Sequence, residues 1–298
     1  MKRFADLLHF GTQQALCCIF PASIFIILGV TKLMTIPYLP RYDVILIACL
    51  VVQFIMVKSK LETYDELKVI SLFHVIGLCL EWYKIKMGSW SYPEPALSKI
   101  AGVPLYSGFM YASVASYICQ AWKRLSLRFI NWPSEKMSYG LGIFIYANFF
   151  THHFVPDFRW LIIVLIFYAF RKAWVAFTVN AHPISNFILQ FAFPQKNKLA
   201  LVPIYSPPYK KISTRHTAVK QYRIPLIAGF ILIGFFIWLA ENISTYFGAW
   251  QYPDQHLHWK MVHISKISSW FLLVIISIIL VAGLKKIKYG TAFFAEEK

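Results

Sequence analysis

Glu81-Trp-Tyr-Lys-Ile-Lys-Met-Gly88-Ser-Trp90-Ser-Tyr92-Pro93-Glu94 returns later in the chain as Glu241-Asn-Ile-Ser-Thr-Tyr-Phe-Gly248-Ala-Trp250-Gln-Tyr252-Pro253-Asp254. Glu, Gly, Trp, Tyr and Pro recur at identical spacing, each displaced by 160 positions, and Glu94 returns as Asp254. With only 10 Trp and 13 Gly among 298 residues, five coincidences at one offset indicate duplication rather than chance. In both copies the Glu stands near the end of a long apolar run. An acid in such a place is costly and is therefore a functional candidate by default.

The composition around the motif says what kind of chain this is. Hydrophobic residues make up 58% and charged residues 14%, against about 45–50% and about 25% in soluble domains. A helix needs roughly 20 apolar residues to cross a bilayer core, with a range of about 17–25. Eight stretches qualify, at about 12–34, 42–57, 69–87, 101–121, 138–155, 159–178, 224–246 and 264–284. Lys2 and Arg3 precede the first, but no small-x-small cleavage site follows it, so it reads as a span rather than a signal peptide. The five cysteines (Cys17, Cys18, Cys49, Cys79, Cys119) lie in apolar runs without a Cys-x-x-Cys pair, which argues against a zinc ribbon or a disulfide framework.

The formal charge of +17 is distributed by topology. With the N-terminus inside, segments 1–11, 58–68, 122–137, 179–223 and 285–298, with the inner helix ends, hold 22 Lys and Arg; the outer segments hold 8. This positive-inside pattern puts both termini in the cytoplasm. The partners implied are membrane lipids and an apolar small-molecule substrate. Nucleic acid is not implied, because the charge follows the membrane-facing loops.

The expected fold is all-α: a polytopic membrane helix bundle of about eight spans, forming one integral domain over 1–298. The motif closes the third apolar stretch of each half, which suggests a four-plus-four plan with pseudo-repeats at about 12–121 and 138–284. Four crossings separate the two copies, so the halves are expected to be parallel repeats about an axis along the membrane normal. Both motif loops then lie on one side, with Glu81 and Glu241 approaching across that axis. Residues 179–223 form a cytoplasmic, basic, Pro-rich loop with five prolines and no acid. Ile184 to Phe193 suits a short interfacial helix. The loop reads either as a lid or docking site or as a connector held to anionic lipid.

Two carboxyls in a shared site can divide into acid and base. Each Glu could instead accept hydrogen bonds from the Trp and Tyr of its own loop, Trp90 and Tyr92 or Trp250 and Tyr252. Gly88 and Gly248 allow the chain to leave the helix, and Pro93 and Pro253 prevent it from resuming. His74 lies two turns before Glu81 on the same helical face and could relay protons, bind a metal with Glu81, or bond to a neighbouring helix. Its counterpart is Gly234. His152, His153, His256, His258 and His263 lie on the outer side without helical metal-ligand spacing, so no metal and no cofactor is assigned. Phosphate-loop, dinucleotide and serine-elbow motifs are absent from the sequence.

The stretches His74–Tyr117 and Trp238–Trp270, with Ala240-Glu241-Asn242 and Trp250-Gln-Tyr-Pro-Asp-Gln255, resemble a bacterial family of uncharacterised integral membrane proteins of the YoaT type. That resemblance implies class and location and no activity. An acidic helix end, Gly-x-Trp-x-Tyr and Val103-Pro104 together are similar to lycopene cyclases and carotenoid hydratases, which act on isoprenoids by proton chemistry. Here Leu105-Tyr106 follows Val103-Pro104 where the cyclases carry Pro-x-Glu-Glu. Two functions remain open: a membrane enzyme using Glu81, Glu241 and His74 on an apolar lipid or isoprenoid, or a proton-coupled transporter using the same acids.

Overall fold

The structure is a computed structural model that describes residues 2–34, 36–178, 221–290 and 294–295, and it is 68% helical. The described helices are α1 (Lys2–Cys17), α2 (Ile19–Leu33), α3 (Arg41–Lys58), α4 (Tyr64–Lys86), α5 (Gly108–Leu125), α6 (Glu135–Thr151), α7 (Arg159–Phe170), α8 (Leu226–Tyr246) and α9 (Lys266–Tyr289). The described residues also form six short strands: β1 (Lys99–Ile100), β2 (Val103–Pro104), β3 (Arg128–Ile130), β4 (Trp174–Thr178), β5 (Gln221–Pro225) and, after α9, β6 (Phe294–Ala295).

The helices that carry the two acids begin and end for legible reasons. At the start of α4, Thr63 accepts from the Glu66 amide, and the Glu66 carboxylate accepts from the Thr63 amide. Two otherwise orphaned amides are thereby satisfied. Pro225 precedes α8, where its fixed φ suits helix entry. Both helices end on glycine in the left-handed region, Gly88 at φ 68° and Gly248 at φ 73°. Ser89 N–H then bonds Lys84 C=O, and Gly88 N–H bonds Ile85 C=O; Ala249 to Ser244 and Gly248 to Thr245 repeat the pair. Helix ends and loop bonds therefore coincide at the offset of 160 positions, as two Schellman caps.

Packing differs from a simple row of spans. Helix α4 lies along α5, and α9 contacts α5, α6, α7 and α8. Helix α8 also touches α2. Close approach is set by small residues: a Cβ on Gly234 would sit 3.0 Å from the Phe271 backbone nitrogen, so α8 and α9 touch there. In the first half the same level is filled differently, with the His74 ring over Gly108.

The all-α expectation is corrected by two sheets. One is the β1–β2 hairpin; the other has four strands in the order β5-β4-β3-β6, antiparallel except for the β3–β6 pair. The apolar stretch 159–178, read as one span, breaks at Arg171-Lys172: α7 stops at Phe170 and Trp174–Thr178 becomes β4. Aromatic and β-branched residues there favour extended backbone once partners are available. The stretch 12–34 also breaks, with α1 and α2 bent by 63°. Among the described residues, two helices are long and apolar enough to cross a membrane, Leu226–Tyr246 and Lys266–Lys288, or up to three spans if the bent pair is one. The interfacial segment expected at 184–193 and most of the basic loop lie outside the described residues; the end of that loop forms β5.

Candidate functional site

Glu81 and Glu241 are each 3% exposed, and every carboxylate oxygen is engaged. Glu81 Oε2 accepts from Trp90 Nε1–H at 2.6 Å and from the Tyr92 hydroxyl at 2.8 Å; Oε1 accepts from the Tyr111 hydroxyl at 2.8 Å. Glu241 Oε1 accepts from the Tyr252 hydroxyl at 2.5 Å, and Oε2 accepts from Trp270 Nε1–H at 2.7 Å. An indole N–H can only donate, so both carboxyls are held as acceptors. Each pocket is assembled from a helix end, its following loop and the next helix of the same half.

The correspondence between the halves is close but not strict. Tyr92 and Tyr252 play the same part. Trp90 bonds Glu81, whereas the indole that bonds Glu241 is Trp270 on α9 rather than Trp250. The donors from the following helix, Tyr111 on α5 and Trp270 on α9, sit one position away from the offset of 160. That slip explains why a search at fixed spacing misses both.

The two motif loops meet. Ser91 and Gln251, themselves 160 apart, form an antiparallel bridge in which each amide donates to the other's carbonyl at 2.9 Å. The Trp90 ring lies 6.0 Å from the Tyr252 ring, edge to face. The Tyr106 hydroxyl donates to Ala249 C=O, which ties the first half to the second loop. Arg41 completes the junction: it pairs with Glu94 at 2.6 Å and donates to Phe247 C=O at 2.6 Å and Leu28 C=O at 3.2 Å. The ammonium of lysine cannot reproduce this planar fork. Arg41→Lys is expected to lower stability by about 1–3 kcal/mol, read as a fall in thermal midpoint of the detergent-solubilised protein.

The model of the family described as "Protein of unknown function (DUF817)" matches residues 6–195 and 198–278. The uncharacterised protein YoaT of Bacillus subtilis (strain 168) is 50% identical over 296 residues, covering 99% of this chain and 98% of that protein. The chain belongs to the DUF817 family. No solved structure matches it. The weaker likeness to lycopene cyclases gains no support from these matches.

Other site residues of this DUF817 chain fall into place as structural or as separate. Glu81 and Glu241 lie within Coulombic range of each other, although the hydrogen bonds to each come from its own motif loop and the helix that follows; the loops themselves share an interface. His74 makes no bond to Glu81. Its ring packs 4.6 Å from Phe109, and Nδ1 is buried without a hydrogen-bond partner. Asn242 joins α8 to the chain before α9, donating to Trp238 C=O at 2.8 Å and accepting from the Val262 amide at 2.9 Å. Trp250 and Tyr252 are buried at the loop junction.

The outer histidines do not converge as a metal site among the described residues. The His152 and His153 rings lie 4.1 Å apart, tilted by 35°. A neutral ring suits the 3.1 Å contact of His153 Nε2 with Lys84 Nζ. Sequence reading also missed Glu62, which is 1% exposed and accepts from Gln53 Nε2 and the Ser116 hydroxyl, both at 2.5 Å. Gln53 and Gln120, isolated polar residues inside apolar runs, were the available signal.

Proposed function

We propose that this DUF817 chain is a multi-pass membrane enzyme that moves protons on an apolar lipid or isoprenoid, with Glu81 and Glu241 as its base and acid. The observation that carries this reading is the pairing of each buried carboxylate with a phenol: Tyr111 on Glu81 and Tyr252 on Glu241. In such a pair the phenol oxygen takes a substrate proton while its own proton passes to the carboxylate. The second pair, run in the opposite direction, returns a proton. Two like units side by side can thus serve as acid and base once their protonation states differ. The same bonds pin the loops, and the two roles are compatible.

The transporter reading is favoured by a different observation. Glu62 precedes α4 at one end, His74 lies midway, and Glu81 closes the other end. Titratable groups spaced along one helix are what a proton path through the bundle requires. The two readings separate in a lipid comparison. An enzyme leaves a deletion strain with an accumulated precursor or a missing lipid species in its membranes. An unchanged lipid profile alongside a lost solute or proton flux would favour transport.

The topology proposed is eight spans in two parallel halves with both termini cytoplasmic. The duplicated helix caps and the Ser91–Gln251 bridge support the repeat, since a twofold axis passing between residues 160 apart requires antiparallel pairing of that kind. The four-stranded sheet supports the sidedness: β3, β5 and β6 come from segments read as inner, and β4 from the inner end of its stretch. An impermeant thiol reagent applied to intact cells is expected to leave Ile212→Cys unlabelled, and to label it after permeabilisation. Labelling in intact cells would invert the orientation.

A further inference from the structure

Lys266, the first residue of α9, places its ammonium 4.8 Å from the centre of the Tyr252 ring and 5.9 Å from that of Trp90. One cation thus faces an aromatic donor from each motif, the two that hold Glu241 and Glu81. Its Nζ has no hydrogen bond to any described residue. Arg159 is tethered alongside, donating to Ser268 Oγ at 3.2 Å and pairing with Asp157 at 3.1 Å. Lys84, 4% exposed and one turn beyond Glu81, reaches Phe149 C=O at 3.4 Å and His153 at 3.1 Å, but no carboxylate.

These three cations lie within Coulombic range of one another, as Lys84 with Lys266 and Arg159, and Lys266 with Arg159. The acids in the same range are Asp157, Asp254 and Glu241. Asp157 is already bound to Arg159, both oxygens of Glu241 are taken, and Asp254 makes no ion pair among the described residues. Like charges gathered at a part-buried place repel unless an anion joins them. Aromatic faces stabilise an ammonium there without neutralising it. A phosphate group supplies the charge and the several acceptor oxygens that ammonium and guanidinium donors match.

We propose that Lys84, Arg159 and Lys266 bind a phosphate-type anionic group at the rim of the paired-carboxyl site, as the head of an amphipathic substrate whose apolar part remains in lipid. This rests on the enzyme reading above and names the class of molecule it acts on: a lipid or isoprenoid carrying a phosphate or diphosphate ester. Lys266 is the central contact, because of the three cations it alone faces both motif loops and it has no acceptor among the described residues.

The test is binding of dioleoyl phosphatidic acid and of inorganic phosphate to the full-length protein in phosphatidylcholine nanodiscs. Wild type is expected to bind the phosphatidic acid, and Lys266→Met or Arg159→Met to weaken binding about tenfold. Lys266→Arg, which keeps the charge, restores it and guards against simple misfolding. Lys286→Met, whose ammonium pairs with Glu135 elsewhere, should leave binding unchanged. Competition by inorganic phosphate assigns the site to the phosphate group alone; binding of phosphatidic acid without such competition assigns it to a lipid headgroup. Equal binding by wild type and both Met variants, or no binding of either probe, overturns the proposal. Glu81→Gln and Glu241→Gln are expected to bind phosphatidic acid normally. If they lose the lipid conversion while the Met variants bind as wild type, only the anion site fails. If the Met variants lose binding while the Gln variants convert normally, only the acid–base reading fails.

Discussion

Glu81→Gln and Glu241→Gln are each expected to abolish the proposed lipid conversion while the protein accumulates normally in the membrane. The amide can keep every contact. At position 81 its carbonyl takes the two donors now on Oε2, Trp90 and Tyr92, and its NH2 turns toward Tyr111, whose hydroxyl rotates to accept. At position 241 the carbonyl takes Trp270 and the amide donates to Tyr252. Shape and bonding survive, and the capacity to take or give a proton does not. The measurement is restoration of the wild-type lipid profile in a deletion strain carrying each variant, with membrane abundance as control. Full restoration by both would reduce the acids to loop anchors. Glu81→Ala separates the roles from the other side. It strands an indole N–H and two hydroxyls at about 1–3 kcal/mol each, so that variant should also lose thermal stability.

Gly77→Ala is expected to be the most damaging small substitution in the first half. A Cβ at Gly77 would lie 2.4 Å from Tyr111 Cδ2 and 2.8 Å from Tyr111 Cβ. The near edge of that ring is held by its own backbone and cannot swing away, so α4 and α5 must separate or Tyr111 must leave Glu81. Overpacking of this kind costs about 1–3 kcal/mol. In the enzyme reading it also removes the phenol from the base. A fall in thermal midpoint together with loss of the lipid conversion is the expected pair of results. Gly77→Ala with normal stability and conversion would show that the Tyr111–Glu81 bond carries neither. The second half has Ile237 at the matching position, so the sensitivity belongs to one half only.

Legibility in the sequence divided along a physical line. The two acids, the glycine caps and the loops that follow them could be read directly, because each depends on residues within about one helical turn or on a repeat with a fixed offset. Helices α3, α4, α8 and α9 lie close to the apolar runs that announced them. The four-stranded sheet was not legible: β3, β4 and β6 are short segments whose pairing partners lie more than 40 residues away. Such strands have no periodicity of their own to read. The breaks at Cys18 and at Arg171 were hidden for the same reason, since uniform apolarity masks a change of direction.

The sequence by itself determined that a motif is duplicated, that each copy ends an apolar helix on a buried acid, and that each helix closes on a left-handed glycine. These follow from local sterics, desolvation and chain periodicity, which act within a few residues. Only the tertiary structure decided what satisfies those acids. Tyr111 and Trp270 come from the next helix in each half, about 30 residues away along the chain, and slip by one position from strict symmetry. It also decided that the loops meet face to face, with Arg41 fastening them across 206 residues. A buried carboxylate demands donors, but sequence does not say which; only packing brings one phenol or indole, among 17 Tyr and 10 Trp, within hydrogen-bond reach.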